Sequence, residues 1–96
     1  MLDRNDIELK IKEVKTILEQ NFNVEEIGIF GSYARNEAVE ESDIDILVKF
    51  KKPIGWEFID LKDFLEQVLG KQVDLVTEKA LKPQMRDTIL REVIYT

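Results

Sequence analysis

Cysteine and histidine are both absent from the 96 residues. Without cysteine there is no disulfide scaffold and no thiolate chemistry. Without histidine the Ser-His-Asp triad, imidazole general bases and His-ligated zinc are excluded together. Long apolar runs are missing too: the longest uncharged stretch is Ile27 to Ala34, eight residues, against the roughly 18 that cross a bilayer. The N-terminus opens with Asp3, Arg4, Asp6 and Glu8 in place of an apolar signal core, so a cytoplasmic location and no membrane partner are expected. An excess of positive charge is also lacking. Lys and Arg number 14 against 20 Asp and Glu, a net charge of −6, and no basic run stands out. Proteins that grip nucleic acid by its backbone carry a basic face, so nucleic acid is not expected as the main partner.

What remains is a chain whose chemistry must run on carboxylates, hydroxyls, amines and hard metal ions. Its length predicts one domain spanning residues 1–96, with about two-thirds of the unfolded surface buried on folding. Hydrophobic residues at 44% and charged ones at 35% argue for an ordinary globular fold and against disorder.

Ile7, Ile11, Val14, Leu18 and Phe22 recur at helical spacing among Glu, Lys and Gln, which predicts an amphipathic helix from about Asp3 to Gln20. Asn21 and Asn23 break it. Val24 to Phe30, rich in β-branched and aromatic residues, reads as a buried strand ending in a Gly31-Ser32 turn. A short helix over Ala34 to Ala38 and a strand from Asp43 to Phe50, closed by Lys51, Lys52 and Pro53, follow. Trp56 to Leu69 has helical spacing, with Trp56 expected in the core and Gly70 at the C-cap. Gln72 to Thr77 reads as a third strand, Lys79 to Met85 as irregular or one helical turn, and Met85, Ile89 and Val93 as a last helix. The order α-β-β-α-β-α, with a helix joining the second and third strands, predicts an α+β fold: a small mixed sheet flanked by helices.

Asp43-Ile44-Asp45-Ile46 is the first chemical signal. On a strand, Asp43 and Asp45 share one face, and two ionised carboxylates there repel each other unless a cation lies between them. Alone, such alternation is equally an acidic solvent face. Gly31-Ser32 adds a strand-to-helix turn whose N–H groups can cradle an anion, glycine allowing close approach. By itself it too is an ordinary turn. The spacing joins them: ten residues, Tyr33 to Ser42, separate Gly31-Ser32 from the Asp pair, enough to bring the second strand back beside the first. Asp74 interrupts the apolar run Val73-Leu75-Val76. It reads either as an outward-facing residue on an edge strand or, beside the other two acids, as a third metal ligand, since a buried unpaired carboxylate costs several kcal/mol. Three carboxylates suit Mg²⁺.

Gly31-Ser32-Tyr33-Ala34-Arg35, Glu37-Ala38 and Ser42-Asp43-Ile44-Asp45-Ile46-Leu47-Val48 together resemble the signature of the DNA polymerase β-like nucleotidyltransferase superfamily. In length and wording the chain is most similar to the minimal nucleotidyltransferases, the MNT or MntA-type antitoxins encoded with HEPN-domain toxins. The resemblance spans essentially the whole chain, Asp74 matching the third acid. One departure is Asn36, where these sequences very often carry Gly after the Arg; Asn tolerates a left-handed backbone best after Gly, so the turn is expected to survive.

The resemblance implies nucleotidyl transfer from a nucleoside triphosphate, with ATP as substrate and two Mg²⁺ ions about 4 Å apart clamping the attacking and leaving oxygens. Asp43, Asp45 and Asp74 become the catalytic and metal-binding residues, Asp74 helping to deprotonate the acceptor. Gly31 and Ser32 become the nucleotide-binding pair. Arg35 is a further nucleotide-binding candidate, with an ion pair to Glu37 or a partner contact left open. Because the core consumes the 96 residues, the expected acceptor is the partner itself: a tyrosine of a HEPN-type toxin, in a hetero-oligomer. The alternatives are a stoichiometric toxin binder with a vestigial nucleotide site, and transfer to a small molecule or RNA end. Tyr33 and Trp56 are weaker candidates for base stacking. Lys49, Lys51 and Lys52 read as a solvated strand end, and Asp60, Asp63 and Glu66 as a helix's polar side.

Overall fold

A computed structural model describes residues 2–96. Four strands form one sheet in the order β3-β2-β1-β4. β1 (Val24–Phe30) and β2 (Ile44–Phe50) are antiparallel; β3 (Val73–Thr77) lies parallel to β2 at one edge, and β4 (Ile94–Tyr95) antiparallel to β1 at the other. The parallel pair is bridged by α4 (Glu57–Leu69), the crossover that such a pair requires. Gly70 closes α4 in the left-handed conformation at φ 70°, its N–H donating to the Glu66 carbonyl, as the sequence predicts for a C-cap glycine.

The alternation of β2 sorts the sheet into two faces. Ile44, Ile46 and Val48 point with Ile27 and Ile29 into the main core, against Ile7, Ile11 and Leu18 of the N-terminal helices and Leu61, Leu65 and Leu69 of α4. Leu47 and Phe30 point the other way and meet Ile89 of α5 (Pro83–Glu92) in a smaller cluster. Asp45 shares that second face by the period of the strand.

Several expectations are corrected. The N-terminal helix is two: α1 (Arg4–Glu13) and α2 (Lys15–Asn21), separated at Val14, where φ −108° and ψ 11° replace helical values. The β-branched residues Val14, Thr16 and Ile17 cluster at the break, and such residues lose rotamer freedom inside a helix. The short helix after β1 is α3, Gly31–Ala34, not Ala34 to Ala38; Asn36 at φ 58° turns the chain out of it. Asp43 precedes β2 instead of lying on it. Trp56 is 81% exposed, not core: it precedes α4 and lies off the Leu61–Leu65 stripe, while Phe58 and Phe64 pack against the core instead. A 3₁₀ turn, Glu78–Ala80, follows β3, and α5 begins at Pro83, whose missing N–H is harmless in a first turn. The strand β4 was not expected at all. Its two residues are too few to show a period, though Val93-Ile94-Tyr95 has strand-forming composition.

Gly28 lets β4 close on β1. A Cβ there would lie 2.7 Å from Val93 Cγ2 and 2.9 Å from the Ile94 carbonyl oxygen, and a backbone atom cannot swing aside. Gly28→Ala is therefore expected to destabilise the fold by about 1–3 kcal/mol through overpacking. Gly70→Ala, with open space around it but a left-handed backbone, should cost about 1 kcal/mol. Urea unfolding of both variants checks the ranking; an unchanged midpoint for Gly28→Ala would contradict the seating of α5 and β4 on the sheet.

Candidate active site

The pairing registers place the acids. Phe30 of β1 stands opposite Asp45 of β2, and Asp45 opposite Asp74 of β3, in one row across three strands. Gly31 follows Phe30 directly, so the turn rises beside this row. Gly31 has φ 74°, and a Cβ on it would sit 2.1 Å from Asp45 Oδ2. Both facts favour glycine. The sequence thus brings Gly31, Asp45 and Asp74 together as expected. Asp74 is exposed on an edge strand, as the first of its two readings has it, and lies in register with Asp45.

The electrostatics are those of acids held together. The Asp45 carboxyl is pushed up to about 6, first by burial, then by the charge of Asp74 and a hydrogen bond with it, and further by the charge of Asp43; Arg35 pulls weakly the other way. The close contact is Asp45 with Asp74, while Asp43, exposed just before β2, acts through its charge. Among the described residues no group of three acids is drawn together tightly enough to cage an ion. An all-oxygen donor set around one or two carboxylates is nevertheless what Mg²⁺ takes, the rest of its shell coming from water and substrate phosphate. A cation would also relieve the repulsion that raises Asp45, so these residues fit the ion.

The turn is tied at both ends by residues that sequence reasoning missed. Arg4 of α1 donates through Nη1 to the Ala34 carbonyl at 3.1 Å. Glu92 of α5 accepts the Gly31 N–H at 2.7 Å. Arg35 lies between two carboxylates, with Nε 3.1 Å from Glu37 and Nη1 2.9 Å from Glu92; these hydrogen bonds, Glu92's first, raise its already high pKa. The ion pair with Glu37, one of the roles left open for Arg35, is thus present. No local signal marks Arg4 or Glu92, because their partners lie 30 and 61 residues away. Ser32, half-buried, has its carbonyl engaged by the Glu37 N–H at 2.8 Å. Tyr33 is buried in the core with its ring 6.0 Å from Lys71 Nζ, which removes it as a base-stacking surface.

A groove of about 660 Å³ lies elsewhere, lined by Lys49, Lys51, Lys52, Lys79, Arg86 and Phe58 among others. It is built on the C-terminal ends of β2 and β3, roughly 16 Å along the strand from Asp45 at the rise of an extended chain. Lys49, expected as a solvated strand end, pairs with Glu25 at 3.3 Å, and Arg86 pairs with Glu78 at 2.9 Å.

A glycine turn packed on one of two facing carboxylates, carried on a mixed sheet, fits the nucleotidyl-transfer class. The comparisons agree. Residues 11–96 match the nucleotidyltransferase domain family, and the chain belongs to it. It is 48% identical over 96 residues to the protein adenylyltransferase MntA of Thermococcus cleftensis, covering 99% of this chain and 97% of that one. A solved chain described as a minimal nucleotidyltransferase superposes with a TM-score of 0.83 at 35% identity, covering 97% of this chain and 95% of the other. The MNT antitoxin in complex with tri-AMPylated HEPN toxin of Shewanella oneidensis shares the fold at a TM-score of 0.67 and 22% identity, covering 93% of this chain and 70% of that one. The α+β mixed-sheet fold and the family expected from the sequence are both borne out.

The raised Asp45 carboxyl has a consequence for stability. Its folded pKa, about 6, exceeds the ordinary 3.8, so its favourable contribution is full below 3.8 and is lost as pH rises through about 6. At pH 7 the ionised group is a penalty that Asn does not carry. Asp45→Asn should therefore stabilise the metal-free protein at pH 7 by about 1 kcal/mol, discounted for solvent screening, with the gain vanishing below about pH 4. Urea unfolding in the presence of a chelator at pH 7 and pH 4 checks this. An Asp45→Asn protein that unfolds at both would make the carboxylate structural.

Proposed function

We propose that this protein is an Mg²⁺-dependent protein adenylyltransferase that serves as an antitoxin, moving AMP from ATP to a tyrosine hydroxyl of a HEPN-type toxin in the cytoplasm. The observation that carries the reading is the Asp45 carboxylate packed on Gly31 with Asp74 in register beside it. Acids that repel one another at the edge of a phosphate-sized turn serve no purpose in passive binding. The near-full-length similarity to a protein adenylyltransferase supports the class of acceptor, and the shared fold with an MNT antitoxin bound to a modified HEPN toxin supports the kind of partner.

In this reading Ser32, through its N–H and hydroxyl, holds the β/γ-phosphates, and Gly31 provides the space for them. Asp43, Asp45 and Asp74 would hold two Mg²⁺ ions, which when bound neutralise charge on the triphosphate and acidify the acceptor hydroxyl. Asp74, exposed on the edge strand, orients the acceptor hydroxyl and takes its proton. The acceptor oxygen forms a bond to the α-phosphorus, the bond from that phosphorus to the β-bridging oxygen breaks, and pyrophosphate leaves. Arg35, shared between Glu37 and Glu92, supports the turn in place of binding phosphate directly.

Turnover tests the reading. Toxin mixed with a sub-stoichiometric amount of this protein, ATP and Mg²⁺ should gain whole AMP units by mass and stay inactive after the protein is removed. Asp74→Asn should fail in the same assay while still binding toxin. Equal neutralisation by both proteins without added mass would instead establish a stoichiometric binder.

Ser32→Ala separates the cradle from the acids. One hydroxyl is lost and the backbone N–H remains, so ATP binding should weaken by about 1–2 kcal/mol in calorimetry, with activity recovered at saturating ATP. Complete inactivity of a folded Ser32→Ala protein would assign Ser32 another role.

A further inference from the structure

Glu92 presents an electrostatic puzzle. A carboxylate whose side chain is only 18% exposed sits against the turn where a triphosphate is to bind, and like charges there oppose binding. Its charge is already committed, however. Oε2 accepts the Gly31 N–H at 2.7 Å, and Arg35 Nη1 lies 2.9 Å from Oε1 and 3.2 Å from Oε2. The Gly31 N–H is therefore occupied, and any phosphate must be met by the N–H groups that follow it, those of Ser32 and Tyr33, which in a first helical turn have no intrahelical acceptor. A helix of four residues cannot hold itself, and Gly31 at φ 74° has alternatives on both sides of zero. Something must choose among them.

We propose that Glu92 is a positioning residue of the nucleotide site: from the last turn of α5 its carboxylate locks the Gly31 N–H and the Arg35 guanidinium together, and so aims the Ser32 and Tyr33 amides at the phosphates. The proposal rests on the nucleotidyl-transfer reading but not on the identity of the acceptor. It makes the C-terminal helix part of the site without any of its atoms touching substrate. It also takes the Gly31 N–H out of the phosphate cradle, leaving to Gly31 the role of making room for the Asp45 carboxylate and for the phosphates.

The test is Mg²⁺-ATP binding by calorimetry together with hydrogen exchange of the Gly31 amide, neither of which needs the toxin. In the wild type the Gly31 amide should exchange slowly, free and with Mg²⁺-ATP alike. Glu92→Ala should lose that protection and weaken Mg²⁺-ATP binding about tenfold, the equivalent of about 1.4 kcal/mol. Glu92→Gln, whose amide oxygen still accepts from Gly31, should keep the protection and bind within about threefold of wild type. That rescue would not follow from general loss of packing. Tighter binding in either variant, or loss of Gly31 protection when Mg²⁺-ATP is added to the wild type, would show a carboxylate that merely stands in for phosphate and would overturn the proposal. A folded Glu92→Ala protein with wild-type affinity would overturn it as well. If Glu92→Ala does not fold, Glu92→Gln and the wild-type exchange decide by the same outcomes. A wild type that binds no nucleotide overturns the transfer reading and the proposal together, whereas unchanged binding in Glu92→Ala overturns the role of Glu92 alone.

Discussion

The contact between the Gly31 backbone and the Asp45 carboxylate governs the rest of the structure. With 2.1 Å between Asp45 Oδ2 and the position a Cβ would take, the end of β1 and the start of β2 can approach this closely only through glycine. The φ of 74° that comes with it sends the chain into a helix of four residues, too short to persist alone. Its geometry is imposed from outside. Arg4 reaches the Ala34 carbonyl from α1, Glu92 takes the Gly31 N–H from α5, and Asn36 supplies a second left-handed residue at φ 58° where the turn ends. Elements from both ends of the chain thus converge on residues 31–36.

Charge is segregated along the strands. Asp43, Asp45 and Asp74 gather where β1 ends and β2 and β3 begin, while Lys49, Lys51, Lys52, Lys79 and Arg86 line the groove where β2 and β3 end. A net charge of −6 with acids at the site makes bare triphosphate an unfavourable visitor and a cation-bound one an acceptable visitor. A fold this small gives up stability to keep ionised acids this close, a local inconsistency of the sort that marks working sites. The same inconsistency is visible at Asp45 alone, half-buried on a strand whose neighbours Ile44 and Ile46 are fully buried.

The site was legible in the sequence where its geometry is local or set by strand period. Gly31-Ser32, the spacer and Asp45 are read along the chain, whereas Asp43 lies just before β2 and off the strand face its spacing predicts, and Asn36 takes the left-handed backbone expected of it. Partners across long separations left no trace: Arg4 with Ala34, and Glu92 with Gly31. Trp56 shows the opposite failure. Hydrophobicity predicted burial, but a residue ahead of the first helical turn has no fixed place on the apolar stripe, and 81% of it remains in solvent. The break at Val14 and the two-residue β4 escaped because tertiary packing decided them, not pattern.

Register is what sets Asp74 opposite Asp45. A slip of one residue between β2 and β3 would put Asp74 on the opposite face of the sheet from Asp45. The alignment Asp45–Asp74 is guarded just before it, where the Ile44 N–H donates to the Gln72 carbonyl at 3.0 Å and the Val73 N–H donates to the Glu66 carboxylate, also at 3.0 Å. That backbone bond, with Lys62 adding to it, holds the Glu66 carboxyl below its ordinary range. Glu66 lies in the last turn of α4, the crossover helix, and its own carbonyl accepts the N–H of the Gly70 cap. One residue on the helix's polar side, expected to have no role, therefore links the end of the crossover to the start of β3. The parallel strand arrives with Asp74 already opposite Asp45 and, because β3 is an edge, still exposed.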